Sequence, residues 1–192
     1  GLLGHKLITL VRGKASFKDS HTVTVDGQDY VGDYIIIATG SVSASLPIPG
    51  ADLPGILTSR EILDLEEVPQ RLCVIGGGVI GLEFASVFRS FGSEVTVLEY
   101  FKEILPRFDS DLSKRLKQSL GKRGIEINTQ AQVTAIEEVP AVISTEGGDR
   151  VEKSIYKVSF TRKGKEEVVE ADKVLMAVGR KANVSSLDLA DV

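Results

Sequence analysis

The sequence predicts an α/β fold in which a parallel sheet is interrupted by a β-meander crossover, and three observations carry that prediction. An apolar run, Leu72-Cys73-Val74-Ile75, meets a triple glycine, Gly76-Gly77-Gly78, and then Phe84, Val87, Phe88 and Phe91 at helical spacing. A second strand and helix repeat the order, with Val95 to Leu98 followed by Leu112, Leu116 and Leu120 on one helical face. Past Thr129 the helical signal stops, and strand-like runs separated by glycine turns take over.

Taken in chain order, residues 7–12, 22–25 and 34–38 are short β-branched or apolar runs expected to form strands, with a tight turn at Asp26-Gly27. Pro47, Pro49, Gly50, Pro54 and Gly55 punctuate an extended connector, where the domain boundary is expected, and Ser59 is a candidate N-cap for a short helix through Leu65. Gly92 should stop the first long helix. The second carries Lys114, Lys117 and Lys122 away from its leucines and should end near Gly124, so that residues 125–127 continue the parallel sheet. The crossover is expected from residues 133–136, 141–144, 156–161 and 166–169, with turns at Gly147-Gly148 and Gly164. Residues 173–178 read as a last buried strand leading into Gly179-Arg180, which gives three expected segments: 1–50, 51–178 and 179–192.

Composition narrows the function. A 192-residue chain with 42% hydrophobic residues can bury a real core. Its formal charge of -4 speaks against nucleic-acid binding, which calls for concentrated positive charge. The basic group Arg162, Lys163, Lys165 is flanked by Glu166 and Glu167 and reads as a solvated turn at Lys163-Gly164. No apolar run approaches the roughly 20 residues of a membrane span and no signal-peptide pattern opens the chain, so no membrane association is expected and the compartment reads as cytoplasmic, or the mitochondrial matrix in a eukaryote. The single cysteine, Cys73, allows no intrachain disulfide or cysteine-rich metal site, and its apolar strand makes it a core residue. His5 and His21 are isolated, so no catalytic residue and no metal site is assigned. The chain opens Gly-Leu-Leu-Gly-His and its one methionine is Met176, from which an upstream segment is expected.

The chemistry concentrates at Gly76-Gly77-Gly78-Val79-Ile80-Gly81, which satisfies G-x-G-x-x-G between a buried strand and an amphipathic helix. In a Rossmann-like unit the first glycine permits the turn out of the strand, the second lets backbone approach a pyrophosphate, and the third lets helix and strand pack closely. The helix that starts there aims free N–H groups and the positive end of its dipole at the phosphates. Glu99 ends the next strand, where a carboxylate accepts hydrogen bonds from both ribose hydroxyls and repels the extra phosphate of NADP. NAD is therefore the expected cofactor, with Lys102 as the nearby charge that weakens the argument.

Several stretches together resemble the pyridine nucleotide-disulfide oxidoreductase family: Tyr34-Ile35-Ile36-Ile37-Ala38-Thr39-Gly40-Ser41, the proline-rich connector, residues 74–83 and Ala177-Val178-Gly179-Arg180. Within the family, Glu99, Ile104-Leu105-Pro106 and residues 78–84 look most like dihydrolipoamide dehydrogenases. The resemblance implies an NAD domain inserted in an FAD domain, so that the Rossmann-like sheet is flanked by partial FAD-domain segments. It implies that Gly76, Gly77, Gly78, Val79, Ile80, Gly81, Leu82 and Glu83 line the NAD pyrophosphate and nicotinamide side. By the same likeness Glu99 holds the ribose, Val133 sits near the adenine, and Gly179 approaches the nicotinamide. Ala15, Thr39, Gly40 and Ser41 match positions beside FAD, and Glu83 matches a carboxylate that pairs with an FAD-domain lysine outside this chain. Ala182 departs from a proline usual in the family, which bears on local rigidity.

The resemblance further implies a homodimeric parent enzyme that oxidises dihydrolipoyl groups through a redox-active cysteine pair and FAD, with NAD as acceptor and a lipoyl-bearing protein or small disulfide as partner. The cysteine pair lies outside these residues, so the chain alone is expected to bind NAD(H) without turning over. The sequence leaves open another member of the family, an NADH oxidase, mercuric reductase or glutathione reductase-like protein, and also a stand-alone nucleotide-binding module.

Overall fold

A computed structural model describes residues 2–144 and 150–189. The chain divides into two compact units, one made of Gly1–Val42 with Lys181–Val192 and the other of Ser43–Arg180.

In the first unit, β1 (Ala15–Asp19), β2 (Thr22–Val25) and β3 (Gln28–Val31) form an antiparallel sheet in that order. Asp26 and Gly27 carry the positive φ angles, 48° and 86°, that a two-residue turn between β2 and β3 requires. Lys18 and Thr24 reach across to the Asp29 carboxylate, at 2.5 and 2.7 Å. Two expected strands are absent. Residues 8–12 and 35–40 adopt no regular structure, because an apolar run becomes a strand only where a neighbour completes its ladder and none among the described residues does. β4 (Ser41–Ser43) follows.

The second unit is built on a five-stranded parallel sheet. It comprises β5 (Ile56–Leu57), β6 (Arg71–Ile75), β7 (Glu94–Glu99), β8 (Ile125–Thr129) and, after the crossover, β12 (Lys173–Met176), in the order β5-β12-β6-β7-β8. Helix α1 (Val79–Ser90) connects β6 to β7, and α2 (Ser110–Lys122) connects β7 to β8. Gly92 and Gly124 follow these helices with φ of 103° and 83°, the left-handed stops that the sequence predicts. The short helix near Ser59 differs: it is a 3-10 turn over Glu61–Asp64, and Ser59 does not cap it. Arg60 is the N-cap residue without a side-chain cap, and the preceding Thr58 donates from both its amide and its hydroxyl to the Glu61 carboxylate.

The crossover comprises β9 (Ala131–Ser144), β10 (Arg150–Arg162) and β11 (Lys165–Ala171), an antiparallel sheet with β10 in the middle. Residues 133–136 and 141–144, expected as separate strands, are one strand. Pro140 is tolerated within it because β9 is an edge, where a missing N–H costs no ladder bond. The expected turn at Gly147-Gly148 lies outside the described residues. Finally β13 (Arg180–Ala182) pairs with β4 where the chain passes from one unit to the other.

Both faces of the parallel sheet are covered, which is why its strands are apolar almost without alternation. Leu72, Val74, Val97 and Leu175 face Leu82, Ala85 and Phe88 of α1 and Leu120 of α2. Cys73, Ile75, Leu98, Val174 and Met176 face Ile136, Tyr156, Val158 and Phe160 of the crossover. Cys73 is fully buried, and that burial pushes its thiol up to about 12, so it is an inert core residue. No helix among the described residues is long and apolar enough to cross a membrane.

Candidate dinucleotide site

The glycine turn sits at the carboxyl end of β6, between the ends of β7 and β12, where ligands bind in open α/β sheets. Gly76 has φ of 110°, and its amide donates to the Leu98 carbonyl at 2.8 Å. A Cβ on it would lie 2.4 Å from the Ala177 carbonyl oxygen of the neighbouring strand end. A Cβ on Gly81 would lie 2.1 Å from the Gly76 carbonyl oxygen, so this residue lets α1 press against the turn. Gly78 is different: its backbone is extended and a Cβ there would meet no atom within 4 Å. The space over Gly78 is open for a ligand.

Gly78 is also the N-cap of α1 and supplies no side-chain cap. The first-turn N–H groups are thus left to whatever occupies the crevice, with the helix dipole adding positive potential. Val79 is exposed, Ile80 is half-buried and Leu82 is buried in the core, so of these three positions Leu82 contributes packing rather than surface. Glu83 is exposed and has no hydrogen-bond partner among the described residues.

Glu99 ends β7 with its side chain only 5% exposed. One carboxylate oxygen accepts the Gly77 amide at 2.5 Å and the other accepts the Phe101 amide at 2.7 Å. Gly77 returns the link through its carbonyl, which accepts the Leu105 amide at 2.9 Å. The Ile104-Leu105-Pro106 stretch is thereby packed under the turn, with Ile104 wholly buried. Gly77 occupies a variable position of the fingerprint, yet a Cβ there would lie 2.9 Å from the Glu99 Oε2 and 3.0 Å from Ile104. Sequence reasoning found no separate cause for Gly77; the three-dimensional cause is the carboxylate beside it.

Val133 is buried against Leu98 and Phe160 in the crossover core, opposite Phe160 in the β9–β10 register. Gly179 is exposed with φ of 127°, and its carbonyl accepts the Ala44 amide at 2.9 Å. In the other unit, Ala15 opens β1 half-buried opposite Val25. Thr39, Gly40 and Ser41 are exposed, and Asn183 ties the turn by donating to the Gly40 carbonyl at 3.0 Å and to the Thr39 carbonyl at 3.4 Å. Among the described residues no group of His, Cys, Asp or Glu side chains is gathered to hold a metal ion.

Comparison with known proteins places the chain in a family. The chain is 36% identical over 191 residues to a dihydrolipoyl dehydrogenase of Acholeplasma laidlawii, covering 97% of this chain and 52% of the relative. It is 37% identical over 180 residues to a mercuric reductase of Staphylococcus aureus, covering 94% of this chain and 30% of that one. The chain therefore spans about half the length of the first relative and less of the second. Among solved structures, the copper(II) complex of a HOCl-induced flavoprotein disulfide reductase from Escherichia coli matches with a TM-score of 0.73 at 32% identity, over 96% of this chain and 39% of that one. The family model described as pyridine nucleotide-disulphide oxidoreductase matches residues 1–192, and the chain belongs to that family, whose members use a flavin and a nicotinamide nucleotide.

Proposed function

We propose that this chain is the NAD(H)-binding part of a dihydrolipoamide dehydrogenase-type flavoprotein, in which electrons from dihydrolipoyl groups pass through FAD to NAD. The observation that carries the reading is Glu99: a buried carboxylate, fixed from both oxygens by backbone amides, at the mouth of a glycine turn that is open above Gly78. Each oxygen accepts one amide and keeps a second lone pair for a ribose hydroxyl. The nicotinamide group, when bound, supplies the hydride chemistry. This chain's own residues bind and orient it.

In this reading the α1 N-terminus holds the pyrophosphate, Gly78 gives it room, and Glu99 selects the unphosphorylated ribose. Gly179 borders the nicotinamide end, Glu83 faces an FAD-domain lysine, and Val133 supports the adenine side from within the core. Ala15, Thr39, Gly40 and Ser41 serve FAD. The whole protein would act on a lipoyl-bearing protein or a small disulfide as a homodimer in the cytoplasm or mitochondrial matrix.

The comparable identity to a mercuric reductase favours a second reading, the nicotinamide half of that type of enzyme. Calorimetric titration of the chain with NADH and NADPH at constant salt separates the two. Tighter binding of NADH is expected; equal or tighter binding of NADPH overturns the first reading in favour of the second.

A further inference from the structure

We infer that Lys163, at the tip of the hairpin between β10 and β11, forms with Lys102 a cationic wall beside the adenosine ribose that limits how strongly the chain rejects NADP(H). The inference rests on the dinucleotide reading above.

An open depression of about 450 Å3 is lined in part by Tyr100, Phe101, Lys102, Gln132, Thr161 and Lys163. Its place relative to the ribose follows from the backbone. Tyr100 and Phe101 directly succeed Glu99, and the Phe101 amide is one of the two donors that fix the Glu99 carboxylate. A ribose held by Glu99 therefore has this depression at its side, outside the carboxyl ends of β7 and β8.

From sequence, Lys163-Gly164 reads as a solvated turn. In the fold it has a fixed address. Lys163 and Gly164 have φ of 51° and 76°, a two-residue turn that joins Arg162 to Lys165 in register. Arg162, the residue before it, donates to both Glu167 oxygens at 3.1 and 3.2 Å and also to the Oδ1 of Asn128, buried in β8. The hairpin tip is thereby tied to the edge of the parallel sheet. The Gln130 amide donates to the Phe101 carbonyl at 2.9 Å, which ties the β8–β9 turn to the residues after Glu99.

Arg162 consumes Glu167, while Lys163 and Lys102 are exposed and have no acidic partner among the described residues. Two ammonium groups without counter-ions thus line a depression next to the carboxylate that reads the ribose. A 2′-phosphate placed there is repelled by Glu99 and attracted by both lysines, whose flexible stems let the charges follow it. Rejection of NADP(H) becomes graded instead of complete.

The test is calorimetric titration of the 192-residue chain with NADH and NADPH at fixed ionic strength, read as the ratio of the two dissociation constants. Lys163→Asn removes the charge and keeps the turn, since Asn-Gly suits two positive φ angles. The ratio is expected to rise about threefold or more against NADPH, further when Lys102→Gln is added, and to be restored by Lys163→Arg. The increment should shrink at high salt, and adenosine 2′,5′-bisphosphate against 5′-AMP should repeat it. A ratio unmoved by Lys163→Asn overturns the inference and leaves the dinucleotide reading standing. Absence of NADH binding by the unsubstituted chain overturns both.

Discussion

The Gly77 amide donates to the Glu99 carboxylate at 2.5 Å, across 22 residues of sequence, and the same carboxylate accepts the Phe101 amide at 2.7 Å from its other oxygen. One side chain thus fixes the glycine turn and the loop after β7 together. Glu99→Ala would leave the Gly77 amide buried without an acceptor. Two charge-assisted bonds are lost, so a destabilisation of roughly 2–4 kcal/mol is expected from denaturant unfolding, with NADH affinity down more than about tenfold. Glu99→Gln can satisfy only one of the two amides and should fall between. Unchanged unfolding of Glu99→Ala would show that the carboxylate does not organise the turn.

The glycines of the turn separate into two kinds, and substitution should tell them apart. Alanine at Gly76 or Gly81 would place a Cβ 2.4 or 2.1 Å from a carbonyl oxygen, and at Gly76 it would also strain a φ of 110°. Both variants should lose about 2 kcal/mol or more of stability. Gly78→Ala meets nothing within 4 Å and keeps an extended backbone, so its loss of stability should stay below about 1 kcal/mol, that of an alanine in place of a glycine N-cap. Its added methyl instead occupies the space proposed for the pyrophosphate, and NADH affinity should drop about tenfold or more. A Gly78→Ala protein that binds NADH normally would move the phosphate away from this turn.

Sequence patterning made the α/β core legible because its signals are local. The run Leu72 to Ile75, the helical spacing from Phe84 to Phe91 and the stops at Gly92 and Gly124 each depend on a few neighbouring residues. What local reading missed was pairing. The runs at 7–12 and 34–38 have strand composition, but a strand is a property of two chains of backbone, and no described neighbour completes theirs. The same holds at the site. G-x-G-x-x-G and Glu99 stand out in the sequence, whereas the constraint on Gly77 and the anchoring of Lys163 through Arg162 and Asn128 join residues 22 and 34 positions apart. No spacing rule reaches them.

The start of β6 is fastened to the start of β12 through charge. Asp172 is 5% exposed, and its carboxylate accepts the Arg71 amide at 2.9 Å and the Arg71 guanidinium at 3.0 Å. Burial pushes the Asp172 carboxyl up, but the hydrogen bonds and charge of Arg71 outweigh it and hold the group below the ordinary carboxylate range. A carboxyl with a depressed folded value stabilises the fold above its unfolded value, about 4, and that contribution is lost as pH falls through the lower folded value. Asp172→Asn should therefore cost about 2 kcal/mol near neutrality and flatten the acid limb of a stability-against-pH curve. An acid limb identical in parent and variant would place the acid sensitivity elsewhere.

Residues 34–37 set the expected behaviour of the isolated chain in solution. Tyr34 and Ile36 are 94% and 89% exposed, and Ile37 is 45% exposed, a run of exposed apolar side chains with no paired strand among the described residues. Leu7 adds another apolar side chain at 83% exposure in the same unit. Apolar surface left in water in this way favours association between copies. Size-exclusion chromatography across a concentration series should show growth in apparent mass, and Tyr34→Ser with Ile36→Ser should suppress it without changing the melting of the parallel-sheet unit, which contains neither residue. A parent chain that elutes as a compact monomer at high concentration would show that these exposed side chains do not drive association.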